Sequence, residues 1–264
     1  MKTAMLVDAS KCLGCRACQV ACKQWNDLPA EDTRNGGTYQ NPPDLSADTL
    51  TLVRFREVER ADRVDWLTYP WRCMHCTEAA CVAACPTGAL FHDGRGFVRL
   101  DASRCTGCGY CAMFCPFNVP RLRVDTLSGS GKMSKCTFCQ DRVHNGELPA
   151  CAKTCPSGAI RFGDRENLVA VGSARVGELT KAGFAQASLY GQDILGGLGV
   201  MYVLTDDPEV YGLPAEPRMP PMLYLWRRVT RPLGGIAVGA AALGLAVNFF
   251  IARRRIRAEE VAHD

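Results

Sequence analysis

The sequence predicts an α+β fold made of two small cysteine-rich units and one apolar helix near the C-terminal end. Three observations carry this expectation. All sixteen cysteines of the 264 residues fall into four groups of four. A Cys-Pro-x-Gly-Ala turn occurs twice, at Cys85–Leu90 and at Cys155–Ile160. From Leu233 to Ile251 the chain carries no charged residue.

Composition sets the outer limits. With 47% hydrophobic residues the chain can bury a core without disulfide staples. A net charge of +4 is small for this length and does not ask for nucleic acid. Met1 to Ser10 holds neither an apolar stretch nor a twin arginine, so no signal peptide is expected there.

The elements follow in order. Met5–Val7 reads as a short strand entering the first cysteine group. Pro29 to Asp48, rich in Pro, Gly, Asn and Asp, reads as a long loop. Leu50–Val58 alternates as a strand does, and Asp93-Gly94 marks a turn before a second strand at Phe97–Leu100. Ser128–Gly131 reads as a flexible link. Asp164 is a plausible N-cap for a helix reaching Lys181, and Val200–Leu204 is a further strand.

The first group is Cys12, Cys15, Cys18 and Cys22; the second is Cys73, Cys76, Cys81 and Cys85. The third is Cys105, Cys108, Cys111 and Cys115; the fourth is Cys136, Cys139, Cys151 and Cys155. The first and third share the spacing C-x2-C-x2-C-x3-C. Three thiolates in so short a loop wrap one face of an iron–sulfur cubane, and the fourth cysteine points to a neighbouring cluster. Proline after Cys85, Cys115 and Cys155 ends each loop. The groups therefore pair, and the repeated turn reads as one ferredoxin-like unit used twice.

Two other readings compete. A disulfide framework suits small secreted chains, not tight Cys-x-x-Cys clusters in a chain of this size. Zinc takes two Cys-x-x-Cys pairs or cysteine with histidine, and only His75 lies inside a group, where it reads as a packing or solvent-facing residue. Lys11, Arg72, Arg104, Lys135 and Lys153 lie next to or between the cysteines. Cations there would raise the potential of a negatively charged cluster, but each one reads first as a solvated surface residue.

The uncharged run of nineteen residues, at about 1.5 Å each, matches the hydrocarbon core of a bilayer. Tyr224 and Trp226 stand at its expected interface, and Gly235 and Gly239 form a G-x-x-x-G. Arg218, Arg227, Arg228 and Arg231 precede it; Arg253, Arg254, Arg255 and Arg257 follow it more densely, favouring a cytoplasmic C-terminus.

From about Leu6 to Arg255 the chain resembles the iron–sulfur beta subunits of membrane-bound respiratory formate dehydrogenases. The resemblance lies in Cys12–Cys22 followed by Trp25-Asn26-Asp27, in Asn41-Pro42-Pro43-Asp44-Leu45-Ser46-Ala47, and in Cys73-Met74-His75-Cys76. It continues through Cys105–Cys111, Cys115-Pro116-Phe117-Asn118-Val119-Pro120-Arg121, Cys151–Cys155, Met201–Leu204, Gly212-Leu213-Pro214 and the C-terminal span.

The resemblance implies a non-catalytic electron carrier with four [4Fe–4S] clusters. Cys12, Cys15, Cys18 and Cys155 would hold the first, and Cys22, Cys136, Cys139 and Cys151 the second. Cys73, Cys76, Cys81 and Cys115 would hold the third, and Cys85, Cys105, Cys108 and Cys111 the fourth. Some relatives place tryptophan at one ligand position and hold a [3Fe–4S] cluster; here every position is cysteine. The implied partners are a catalytic alpha subunit with molybdenum or tungsten on a pterin, and a cytochrome b gamma subunit that reduces quinone. No catalytic residue and no small-molecule substrate is expected in this chain.

The expected domains are 1–28 with 128–165 as the first dicluster unit and 50–127 as the second. Residues 166–231 would be an extension contacting partner subunits, 232–252 a transmembrane helix and 253–264 a basic tail. The expected location is the inner membrane, with the soluble part periplasmic and the C-terminus cytoplasmic. The rivals are the same relay in a hydrogenase, nitrate or sulfur-compound reductase, and a zinc-bound membrane scaffold.

Overall fold

The computed structural model describes residues 2–125, 129–225 and 229–262. Residues 1–219 pack as one compact unit and 220–264 as a second.

In the first unit, strand β1 (Thr3–Asp8) runs into the first cysteine loop, which closes with helix α1 (Ala17–Trp25). After the long loop comes the hairpin of β2 (Leu52–Glu59) and β3 (Val64–Trp71), then α2 (Ala80–Ala84). Strands β4 (Leu90–His92) and β5 (Val98–Leu100) pair about the Asp93 turn, where the Gly96 N–H donates to Asp93 O. Helix α3 (Tyr110–Met113) leads to the hairpin of β6 (Arg121–Val124) and β7 (Gly131–Ser134). Helices α4 (Gln140–His144) and α5 (Ala150–Lys153) precede β8 (Ile160–Asp164). Helix α6 (Arg165–Lys181), β9 (Ser188–Tyr190) and β10 (Val200–Leu204) complete the unit.

One four-stranded sheet, in the order β8-β1-β10-β9, organises the unit, with β1 and β10 parallel at its centre. Central strands are covered on both faces, so they read as continuous apolar runs. Their period of two divides the faces. Ala4, Leu6, Met201 and Val203 meet Leu168 and Leu179 of α6. Met5, Val7, Val200, Tyr202 and Leu204 face the main core, which holds Cys18, Cys22, Cys73, Cys136 and Cys151. That core mixes residues from both expected dicluster units. Residues 166–204, within the segment expected to extend towards partner subunits, supply β9 and β10 to this sheet and the helix α6 that packs on it. Asp164 caps α6 by accepting from the Glu166 and Asn167 N–H groups, as the sequence predicts.

Two segments have the same local geometry. Asp8 and Asp101 each accept from the serine two residues on, and each precedes a cysteine loop. The Asp8 N–H donates to Ala159 O, and the Asp101 N–H to Ala89 O, both at 2.8 Å. Gly88 and Gly158, in the two Cys-Pro turns, have φ of +65° and +63°. Thus β1 pairs antiparallel with β8 as β5 pairs with β4. The match Asp-Ala-Ser-Lys-Cys12 and Asp-Ala-Ser-Arg-Cys105 is plain in the sequence, yet only the Cys-Pro turns pointed to it there.

The expected flexible link needs correction. Ser128 lies outside the described residues, but Gly131 pairs with Val124 in β7. A Cβ on Gly107, at φ +74°, would collide with the Gly131 carbonyl, so this strand seats the third cysteine loop.

The second unit holds α7 (Pro221–Leu225) and α8 (Arg231–Ala262). Within α8, Pro232–Arg253 is long and apolar enough to cross a membrane, with a mean hydropathy of 2.0 and none of it buried. The helix continues into the expected basic tail. Trp226, Arg227 and Arg228 lie outside the described residues.

Candidate metal centres

Each cysteine loop is shaped by its backbone. The first cysteines of the first and third groups, Cys12 and Cys105, follow a single 3-10 turn, and α1 and α3 start at left-handed residues, Arg16 and Gly109. In the second and fourth groups the third position of Cys-x-x-Cys is left-handed: His75 at φ +49° and Phe138 at +62°.

Burial makes the thiols poor acids while they stay protonated. It pushes Cys18, Cys81, Cys111 and Cys139 up to about 12. Cys85 behaves otherwise. Burial works against its charge, but the N–H groups of Leu90, Ala89 and Thr87 and the Thr87 hydroxyl outweigh this and lower it. Cys115 receives N–H groups from Val119, Phe117 and Asn118 in the turn after its proline, although burial still keeps it raised.

Mutual charge is a further, smaller influence, and it acts both within and across the expected sets. Burial raises Cys18 first; Arg72 lowers it, and Cys151, Cys12 and Cys15 then raise it in that order. Cys151 and Cys22 act on both Cys136 and Cys139, after burial in each case. Cys73, Cys81 and Cys115 act on Cys76, and Cys108, Cys105 and Cys85 act on Cys111. These last four also line a single cavity with Ala89, Leu90, Leu100 and Met133. Cys155 closes α5, 3.8 Å from Ser157 Oγ, but has no charge contact with Cys18 as strong as those of Cys12 and Cys15.

Some of these influences run between the expected sets. Cys151 acts on Cys18, Cys73 acts on Cys136, and Cys111 acts on Cys81. These influences link the expected first set to the second, the second to the third and the third to the fourth. Of the sixteen cysteines only Cys15 and Cys108 are exposed, one in each terminal set.

Sixteen thiols in four groups, two of them spaced C-x2-C-x2-C-x3-C, are donors that suit iron–sulfur cubanes. Tetrahedral zinc needs all its donors near one point, whereas a cubane's thiolates bind separate irons and stand farther apart.

Two cations depart from the sequence reading. Arg72 and Lys135, expected on the surface, are buried at 0% and 2% exposure. Each directly precedes the first cysteine of its Cys-x-x-Cys pair, on a segment leaving a hairpin's buried end. Arg72 Nη1 donates to Cys151 Sγ at 2.7 Å and to Met5 Sδ at 3.3 Å. Burial disfavours its charge, but Cys151, Cys18, Tyr202 and Cys136 outweigh this and raise it. Lys135 Nζ donates to the carbonyls of Val98 and Cys136. Among the described residues neither cation pairs with a carboxylate; Arg72 has the Cys151 sulfur as a partner, and Lys135 has the two carbonyls. Arg104 and Lys153 are exposed and Lys11 is half-buried, as a solvated position requires.

His75 is also buried, so packing describes it and solvent exposure does not. Burial lowers its basicity well below the usual range. Its Nδ1 accepts from the Val98 N–H at 3.2 Å, which leaves the ring proton on Nε2.

Comparison with known proteins agrees with this geometry. Residues 8–89 and 64–165 each match a family profile described as a 4Fe-4S dicluster domain. The formate dehydrogenase iron-sulfur subunit of Haemophilus influenzae is 43% identical over 254 residues, covering 94% of this chain and 80% of that protein. The chain belongs to the formate dehydrogenase iron–sulfur subunit family. Within that family the formate dehydrogenase-O iron-sulfur subunit of Escherichia coli is 43% identical, again over 94% of this chain and 80% of its own length. A thiosulfate reductase electron transfer subunit of Salmonella typhi is 41% identical, but over only 60% of this chain and 74% of its own length. The family's dicluster domains carry [4Fe–4S] chemistry, and the cysteine sets above are the residues that would supply it.

Proposed function

We propose that this chain is the electron relay of a membrane-bound formate dehydrogenase. It takes electrons from a separate alpha subunit with molybdenum or tungsten on a pterin. It passes them to a cytochrome b gamma subunit that reduces quinone. The observation that carries this reading is that of sixteen cysteines only Cys15 and Cys108 are exposed, and the reading puts them in its two terminal sets. A relay needs a buried middle and two accessible ends.

Four [4Fe–4S] clusters would supply one-electron carriers along the row. Cys12, Cys15, Cys18 and Cys155 hold the first; Cys22, Cys136, Cys139 and Cys151 the second. Cys73, Cys76, Cys81 and Cys115 hold the third; Cys85, Cys105, Cys108 and Cys111 the fourth. The equal pairings of β1 with β8 and of β5 with β4 support two repeated dicluster units, 1–28 with 128–165 and 50–127. The protein's own part is to hold thiolates, exclude water and place charge. None of its residues has a bond-making role.

The apolar face of α8 supports a single membrane crossing near 232–252, because no part of this segment is buried within the chain. The denser arginines after Ile251 support a cytoplasmic C-terminus and a periplasmic soluble part. The same relay in a sulfur-compound reductase is the rival of the same class. The longer match to formate dehydrogenase subunits weighs against it.

The test is anaerobic addition of formate to the complex purified from detergent-solubilised membranes, followed by absorbance near 400 nm and by EPR. Prompt bleaching with new EPR signals is the expected result. Reduction by dithionite but not by formate assigns the relay to another catalytic subunit. A colourless protein containing zinc overturns the reading altogether.

A further inference from the structure

Arg72 occupies an unusual position. It is fully buried, has no carboxylate ion-pair partner among the described residues, and donates to the Cys151 sulfur. Its charge acts on Cys18 of the first set and on Cys22 and Cys136 of the second. Its Nη1 donates to Cys151 Sγ. Its Nε and Nη2 are buried and have no partner in the chain. A buried guanidinium with two idle donors is costly unless acceptors reach it. Sulfur is the acceptor that this environment offers.

We propose that Arg72 is a positioning residue that sets the reduction potentials of the first two clusters, through its bond to Cys151 and a charge shared by both ligand sets. This rests on the relay reading above. A cluster gains negative charge when reduced, so a fixed cation in a poorly screened interior favours the reduced form. A hydrogen bond to a ligand sulfur acts in the same direction. The exposed Arg104 is screened by water and exerts far less of this effect. Lys135 differs in kind: its ammonium is spent on two carbonyls, and its charge falls on Cys81 of the third set. Arg72 thus biases the entry half of the relay towards accepting electrons.

The experiment is an EPR-monitored redox titration of the whole complex carrying Arg72→Gln or Arg72→Lys, with iron and acid-labile sulfide counted in each. Arg72→Gln is expected to lower the midpoint of a cluster in the first two sets by at least tenfold in its reduction equilibrium, about 59 mV for one electron. The third and fourth midpoints stay in place. Arg72→Lys keeps the charge and falls between wild type and Arg72→Gln. A fully loaded Arg72→Gln complex with wild-type midpoints overturns the proposal. If Arg72→Gln does not assemble, the wild-type complex labelled with guanidino-15N arginine decides. A 15N coupling to a reduced cluster that is lost in Arg72→Lys supports the contact, and its absence in wild type overturns it. A wild-type complex with no dithionite-reducible clusters fails the relay reading itself, a result distinct from either.

Discussion

The ring of His75 lies 4.5 Å from that of Phe138. The two residues hold the same place in their loops, third in Cys73-Met74-His75-Cys76 and third in Cys136-Thr137-Phe138-Cys139, and both are left-handed. Their contact joins the loops that carry the second and third thiol sets, where Cys73 acts on Cys136. Phe97 packs on Phe138 in a tilted pair at 5.3 Å, and Phe162 meets it edge-to-face at 5.5 Å. The middle of the row is therefore held by an aromatic cluster, not by a linker between two domains.

Replacing Phe138 by alanine removes the centre of this cluster. At 1% exposure the site is fully packed, and such truncations cost about 3–5 kcal/mol. The expected outcome is a lower Tm and loss of iron from the two middle sets together, with Phe138→Leu much milder. Iron counting and thermal unfolding of the purified complex check it.

Lys23 anchors the long loop from a helix. Its Nζ donates to Pro29 O at 2.7 Å, Asp48 O at 2.9 Å and Glu31 Oε2 at 3.1 Å. Glu31 is itself held below the usual carboxylate range; burial opposes this, but Ser46, Thr49 and Lys23 prevail. Lys23→Met leaves both carbonyls and the carboxylate without this donor, at about 1–3 kcal/mol. Proteolytic nicking within residues 29–48 should speed up severalfold, with the iron content unchanged.

Cluster loading should depend on pH in a direction fixed by the thiols. Cys18, Cys81, Cys111 and Cys139 are raised to about 12 chiefly by burial, so near neutral pH they carry protons until metal displaces them. Each loaded thiol therefore releases one proton, and acid opposes loading. Chelator-driven iron loss should quicken as pH falls from about 8 to about 6, while reconstitution improves in the opposite direction. Iron loss that is independent of pH over that range contradicts the protonated state.

Much of this arrangement was legible in the sequence, and the misses share one cause. The cysteine grouping, the Cys-Pro turns, β1, β10 and the Asp164 cap rest on local spacing and on periods of two or 3.6. Arg72 and Lys135 were misread because charged residues are seldom buried without a paired charge. The partners are brought by distant segments, Cys151 Sγ beside Arg72 and Val98 O beside Lys135, and no local pattern announces them. Gly131 was misread for a similar reason: Gly107, its neighbour, is far away in the chain.

The anchoring helix separates two effects. A Cβ at Gly235 or Gly239 meets nothing within 4 Å in this chain. Gly239→Ile should therefore leave the soluble unit's unfolding unchanged while weakening co-purification of cytochrome b, because close helix approach needs small residues. Truncation before Pro232 should release the soluble unit from membranes. Retained cytochrome b binding after truncation would show that α8 is dispensable.

Cys85 tests the order of the row. It shares a cavity with Cys105, Cys108 and Cys111, the set that contains the exposed Cys108. Four N–H or O–H donors around its sulfur favour the thiolate, so alanine removes both a ligand and the site's best-stabilised charge. The other three sets share no ligand with it and keep their neighbours. Cys85→Ala should thus empty the fourth site, abolish quinone reduction and preserve formate oxidation with an artificial acceptor that draws electrons before the break. The ratio of the two activities is the diagnostic measurement. General unfolding lowers both together, whereas a broken exit lowers only the first. Unchanged quinone reduction in a protein proven to lack the fourth cluster would place the exit elsewhere and refute the order drawn from Cys151–Cys18, Cys73–Cys136 and Cys111–Cys81.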